Sequence, residues 1–257
     1  MNIEHTSDAP STGTFGATKA LLIFATYMAS QFLASVCVGI VLGLSYALSG
    51  VHDPDAIAEL STSVRGPTVI IGLIVSGLIV VLLVRKFAAG SIVGRSKDGI
   101  GWSLGGPAYL LGGVLLGSAL AFGYLSVASA LVPPDPEMSR GPLAEMATTP
   151  GLSQWSWVII AIIVAPPLEE FLFRGVLFSG IMRSWGPTIA ALLVTALFVV
   201  IHLPETIHYW PSMVAVLLLG ITTLGVRIRS ESLGPAVTLH TAYNLVLVVT
   251  VSFLSTG

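Results

Sequence analysis

Apolar residues along this chain come in seven long runs, separated by short clusters of glycine, proline and charge. A helix needs about 20 apolar residues to span the hydrocarbon core of a bilayer. On that measure the chain predicts helices over 20–48, 67–86, 107–132, 154–182, 187–204, 211–229 and 234–255. Pro67, Pro107, Pro187, Pro211 and Pro235 stand at or near the first residue of five of them, where the missing N–H would have no helical partner anyway. Gly66, Gly106, Gly186 and Gly234 precede four of these prolines, which is turn chemistry. The expected fold class is all-α, a polytopic transmembrane bundle of about seven helices.

The remaining stretches are read from their polarity. Residues 1–18 are rich in Ser, Thr, Asp and Gly and are expected to be a disordered tail. The apolar run after Lys19 is too long for the core of a cleaved signal peptide and is expected to stay as an anchor. The connection over 87–106 is glycine-rich and basic, with Ile92, Val93, Ile100 and Trp102 interspersed. It is expected to lie on the membrane surface or to be a solvated loop. Residues 133–153, with several prolines, are expected to be an external loop. Gly39 with Gly43, and Gly113 with Gly117, have the spacing of close helix crossings.

Composition agrees with the pattern. Of 257 residues, 54% are hydrophobic and only 9% charged, and the mean hydropathy is +0.91; a soluble domain carries roughly 25% charge. The net charge of −2 leaves no basic patch for phosphate contacts, so nucleic acid is not an expected partner. A single cysteine, Cys37, excludes an internal disulfide framework and a cysteine-cluster metal site, and in its apolar run it reads as a buried small hydrophobe.

Charge also orients the bundle. Lys19, Arg85, Lys86, Arg95, Lys97, Arg183, Arg227 and Arg229 all fall on one side if seven helices alternate. The other side has Arg65 and Arg140 among seven acidic residues, Asp53, Asp55, Glu59, Asp135, Glu137, Glu145 and Glu205. The positive-inside rule predicts a multi-pass protein of the cell membrane with a cytoplasmic N terminus and an external C terminus.

Against this apolar background, Glu169 and Glu170 stand out. An ionised carboxylate at membrane depth costs several kcal/mol unless it is paired or hydrated. Arg174 follows Glu170 by four residues, about 40° away on a helix at about 100° per residue, and can pair with it. Glu169 lies about 140° from Arg174 on the same count and is left to face something else. Pro166 and Pro167 just upstream each remove a helical hydrogen bond. They predict a break, with the glutamates in the first turn of a restarted helix and freed carbonyls near Ile162 and Ile163 lining a hydrated cavity.

His202 ends the run Phe198-Val-Val-Ile-His. Counted from the turn near 184–186, Glu169 is about 16 residues back and His202 about 17 forward, so an antiparallel hairpin brings them to similar depth. Phe198, one turn before His202, can pack beside it. His240 and Asn244, at i and i+4 near the start of the last helix, share a face, and both can donate hydrogen bonds. A polar cluster gluing helices together would explain any one of these residues. Two glutamates, two histidines and an asparagine on three helices fit hydrolysis better. Glu169 would act as general base on a water that His202 helps to hold, with His240 and Asn244 stabilising the oxyanion. The same Glu169, His202 and His240 could instead ligate a catalytic zinc, with one position left for water. No cofactor follows from the sequence, and zinc stays open.

Glu-Glu-x-x-x-Arg at 169–174, Phe-x-x-x-His at 198–202 and His-x-x-x-Asn at 240–244 resemble, in order and spacing, the three motifs of the CPBP family (the CAAX prenyl protease type II and bacteriocin-processing group, also labelled Abi). The resemblance covers roughly 150–250. It implies an intramembrane endopeptidase with a catalytic core over 154–257, preceded by accessory helices and loops over 19–153. It implies that Glu169 and His202 position the water, that His240 and Asn244 form the oxyanion hole, and that Glu170, Arg174 and Phe198 support them. The family has been described both as metalloproteases and as glutamic proteases. The expected partners are the lipid bilayer and a peptide or membrane-protein substrate, cut near the cytoplasmic side. The competing readings are a non-catalytic immunity or scaffold protein and a proton-coupled transporter, the latter disfavoured because no paired halves with matching broken helices occur.

Overall fold

The computed structural model describes residues 15–49, 53–88, 99–133, 146–147 and 149–250. Residues 1–14, most of the disordered tail expected from the sequence, lie outside that set, as do 89–98, 134–145 and 251–257. Seven helical rods run through the described residues: α1 (Ala17–Ser49), α2 (Pro54–Phe87), α3 (Pro107–Leu131), α4 (152–185), α5 (187–201), α6 (Trp210–Ser230) and α7 (Gly234–Val249). One further turn, Leu203–Thr206, joins α5 to α6.

The chain is a multi-pass membrane protein. Five stretches are long and apolar enough to cross a bilayer, and the fourth, Leu152–Ile201, is 50 residues that fold back on themselves. The fold-back is at Gly186, whose φ of 83° and ψ of 167° break the helix between α4 and α5. A side chain is strained at that φ, so Gly186 makes the turn and Pro187 starts the next rod. Outward faces carry Phe32, Leu48, Leu82, Leu115 and Leu192, all more than half exposed; in lipid such faces are in their preferred solvent. Polar burial is confined to the bundle interior, as membrane proteins require.

Four expectations change. Pro67 does not start a helix: α2 begins at Pro54 and carries Pro67 inside it. Beside it, Gly66 abuts Ser156 of α4, whose side chain fills the space a Cβ would need. Gly39 and Gly43 meet nothing, so that spacing makes no crossing. Cys37 is exposed on α1, not buried. In the 133–153 connection, Met146 and Ala147 are buried, and Ala147 accepts a hydrogen bond from Gln154 Nε2 at 3.2 Å.

The second glycine pair does make a crossing. Gly113 lies against the Pro235 carbonyl and Thr238, and Gly117 against the Leu239 carbonyl and the Tyr243 amide. Backbone meets backbone there, so α3 and α7 depend on the absence of Cβ atoms. Gly117→Leu is expected to separate the two helices and lower the thermal unfolding midpoint in detergent by several degrees. Gly123→Leu, where nothing lies within 4 Å, is expected to leave it unchanged; equal midpoints for the two variants would contradict the crossing.

The described part of the 87–106 connection is tied into the bundle at one end and exposed at Trp102 and Leu104. Residues 99–105 form a strap across the bundle, buried at 99–101. The Gly99 carbonyl accepts from Ser179 Oγ and from Arg227 Nη2, each at 2.8 Å, and Ile100 is fully buried against Gly175 and Leu233. The Gly101 and Ser103 carbonyls accept the amides of Leu233 and Gly234 at 2.8 and 2.9 Å. Arg227 is itself 2% exposed, so this cation serves as backbone glue, where charge counting treats it as a surface marker.

Candidate active site

The site begins with how α4 accommodates its two prolines. The expected break and restart does not occur. Val164 keeps helical dihedrals, and the helix widens on either side of the glutamates instead: Ile160–Val164 is wound as π-helix, Ala165–Glu170 as α-helix and Phe171–Leu177 again as π-helix. In the first wide turn Ala165 N–H bonds to the Ile160 carbonyl. The next carbonyl, Ala161, would take its hydrogen bond in the same register from residue 166, but Pro166 has no N–H to give. Asn244 Nδ2 supplies it from α7 at 2.8 Å. One freed carbonyl therefore finds a protein partner, one residue before the pair at Ile162 and Ile163 expected from the sequence. Wide turns of this kind collect at functional sites.

Three rods then converge. His202 Nε2 of α5 lies 3.8 Å and His240 Nε2 of α7 lies 3.9 Å from Glu169 Oε2 of α4. Glu170 Oε1 lies 3.2 Å from Arg174 Nη1 and 2.8 Å from His240 Nδ1. Burial divides the two glutamates. Glu170, Arg174 and His240 are at most 3% exposed, whereas the Glu169 and His202 side chains are 19% and 24% exposed. The Glu169 side chain is partly open, whereas Glu170 is sealed.

Hydrogen-bond partners fix both imidazoles. His202 Nδ1 faces the Phe198 carbonyl at 2.7 Å. A carbonyl only accepts, so Nδ1 carries the proton and neutral His202 presents a bare Nε2. His240 Nδ1 likewise donates to the Glu170 carboxylate at 2.8 Å, and in the neutral ring its Nε2 is bare too. Two lone pairs and a carboxylate oxygen thus face one another across gaps too long for direct hydrogen bonds. Glu169 Oε2 is buried without a partner among the described residues. Three acceptors around one gap call for a proton donor between them, and water is the simplest.

The fit to zinc is poorer. Ligand atoms of a tetrahedral zinc, each about 2.0–2.1 Å from the metal, stand about 3.3 Å from one another. The spacings of 3.8 and 3.9 Å are wider, and among the described residues no three His, Cys, Asp or Glu side chains group so as to hold a metal ion. No step is therefore routed through a metal.

Phe198 is the floor of the cluster. Its ring lies 4.5 Å from that of His202 and 6.1 Å from that of His240, and the Arg174 guanidinium sits 4.2 Å over it. Three contributors escape a reading of the sequence. Gly220 of α6 accepts from Arg174 Nη2 at 3.0 Å and, lacking a Cβ, lets α6 lie against Phe198. Thr206 Oγ1 donates to the His202 carbonyl at 2.9 Å and pins the end of α5. Trp102, from the strap, meets Phe171 edge-to-face at 5.3 Å, one residue beyond Glu170. None has a local signal, since each acts through a partner distant in sequence.

A partly exposed carboxylate and two oriented imidazoles thus face one gap inside a helical membrane bundle. Residues 151–246 match the model of the type II CAAX prenyl endopeptidase Rce1-like family. That stretch holds all three polar motifs, from Glu169 to Asn244. No curated protein and no solved structure matches the chain.

Proposed function

We propose that the protein is a glutamic intramembrane endopeptidase, in which Glu169 activates water to hydrolyse a peptide bond of a membrane-associated or lipidated substrate. The observation that carries this reading is the pair of bare Nε2 atoms set 3.8 and 3.9 Å from the partly exposed Glu169. A water in that gap gives one proton to Glu169 as its oxygen adds to the scissile carbonyl carbon. The carbonyl electrons move onto oxygen. When the carbon–nitrogen bond breaks, the amine takes the proton back from Glu169.

His202 holds the water through Nε2. His240 is held toward Glu169 by the Glu170 carboxylate at its Nδ1, much as the carboxylate of a hydrolase triad orients its histidine. Asn244 gives one amide N–H to Ala161 and keeps the second for the oxyanion. With Arg227 set aside as buried, Arg183 near the α4 end and Arg229 near the α6 end still favour a cytoplasmic N terminus.

Anchored Nδ1 atoms would suit metal ligands equally well, so the deciding experiment is chelation. Purified protein in detergent is expected to cleave members of a fluorogenic peptide panel at an unchanged rate after treatment with a zinc chelator. Loss of activity on chelation, restored by added zinc, would replace the glutamic mechanism with a metal one.

A further inference from the structure

The first helix lies outside the segment that matches the family, yet it runs along the site. α1 packs antiparallel to α4. Gly16 meets Ser184, Ala20 packs on Gly180, and Phe24 meets Phe173 edge-to-face at 5.6 Å. Continued by one turn, this register brings Tyr27 to the level of Glu169. Tyr27 is 7% exposed. Gln31, one turn further along α1, shares its face. Gln31 in turn gives its amide to the Gly72 carbonyl of α2 at 3.4 Å, which holds this part of α1 in place.

The site needs what a phenol offers. Three acceptors face the gap, Glu169 Oε2 and two bare Nε2 atoms, while one water has two protons. Hydrolysis adds a fourth acceptor, the carbonyl oxygen that gathers charge. The Nδ1 protons of both histidines are committed to Phe198 and Glu170, and one amide proton of Asn244 to Ala161. Donors are therefore scarce where charge develops.

We propose that the hydroxyl of Tyr27 is a hydrogen-bond donor of the hydrolytic site, presented by α1 to the scissile carbonyl oxygen as water adds to its carbon. This rests on the hydrolytic reading of Glu169. It makes the first helix part of the active site, so that residues 154–257 do not hold all the chemistry.

Two measurements on the full-length protein in detergent test it. The first needs no substrate: 3-fluorotyrosine is placed at position 27 and its fluorine resonance followed with pH. The resonance is expected to move in a step that Glu169→Gln removes; a resonance blind to Glu169→Gln overturns the proposal. The second uses the fluorogenic peptide that the wild-type protein cleaves fastest. Tyr27→Phe keeps the ring and its packing. It is expected to lower kcat about 100-fold, the scale for one lost oxyanion donor, with KM and the melting temperature held. A kcat within about threefold of wild type, or a loss that follows a fall in melting temperature, overturns the proposal. If no peptide is cleaved, or if Glu169→Gln retains activity, the hydrolytic reading itself fails, while the fluorine measurement still decides whether Tyr27 faces Glu169.

Discussion

Glu169→Gln is expected to lower peptide hydrolysis by about 10³-fold, within the range for loss of a general base, and to leave the bundle folded. The amide matches the carboxylate in size but cannot take a proton from water. Stability is spared for a reason visible in the contacts. Glu169 has no protein group within direct hydrogen-bonding distance of Oε2, and its nearest partners, His202 and His240, stand at 3.8 and 3.9 Å. Its side chain is 19% exposed, so no sealed charge is left behind. Cleavage of a fluorogenic peptide, read beside a thermal melt, tests both halves. Full activity in a folded Glu169→Gln protein would falsify the hydrolytic mechanism.

Much of this arrangement was legible from the sequence because the signals were local or depended only on depth. Apolar run length and three of the four Gly-Pro steps place the rods, Gly66-Pro67 being the exception inside α2, and Gly186 with Pro187 marks the fold-back between α4 and α5. Helical spacing separates Glu170, which faces Arg174, from Glu169, and counting from the turn brings Glu169 and His202 to one level. What stayed hidden were matters of register and partner. A proline pair reads as a break, yet two π-turns absorb it, because wide turns let the chain drop a hydrogen bond without leaving the helix and Asn244 covers the carbonyl set free. Arg227 looks like a cytoplasmic charge, yet it is spent on the carbonyl of Gly99, a residue 128 positions away. The 99–105 strap is apolar only at Ile100, Trp102 and Leu104, of which Ile100 alone is buried, and its docking depends on backbone groups that no side-chain pattern reveals.

The divided burial of the site has an energetic consequence opposite to that of Glu169. Arg174 is sealed, and its guanidinium meets several demands at once: Nη1 faces Glu170 at 3.2 Å, Nη2 donates to the Gly220 carbonyl at 3.0 Å, and the plane lies 4.2 Å over Phe198. Arg174→Met keeps much of the volume but strips the charge opposite Glu170. That carboxylate, fully buried, would retain only the His240 Nδ1 proton. Breaking one side of a buried ion pair costs about 3–5 kcal/mol, so Arg174→Met is expected to destabilise the bundle by that order, measured by denaturant unfolding in mixed micelles. Arg174→Lys is expected to recover little, because a single ammonium cannot face Glu170, reach Gly220 and stack on Phe198 together. Activity should fall with stability in both variants, since a displaced Glu170 no longer orients His240 toward Glu169. An Arg174→Met protein as stable as wild type would mean that Glu170 is held by something other than this pair, and the separation of a sealed supporting carboxylate from an open reacting one would lose its physical basis.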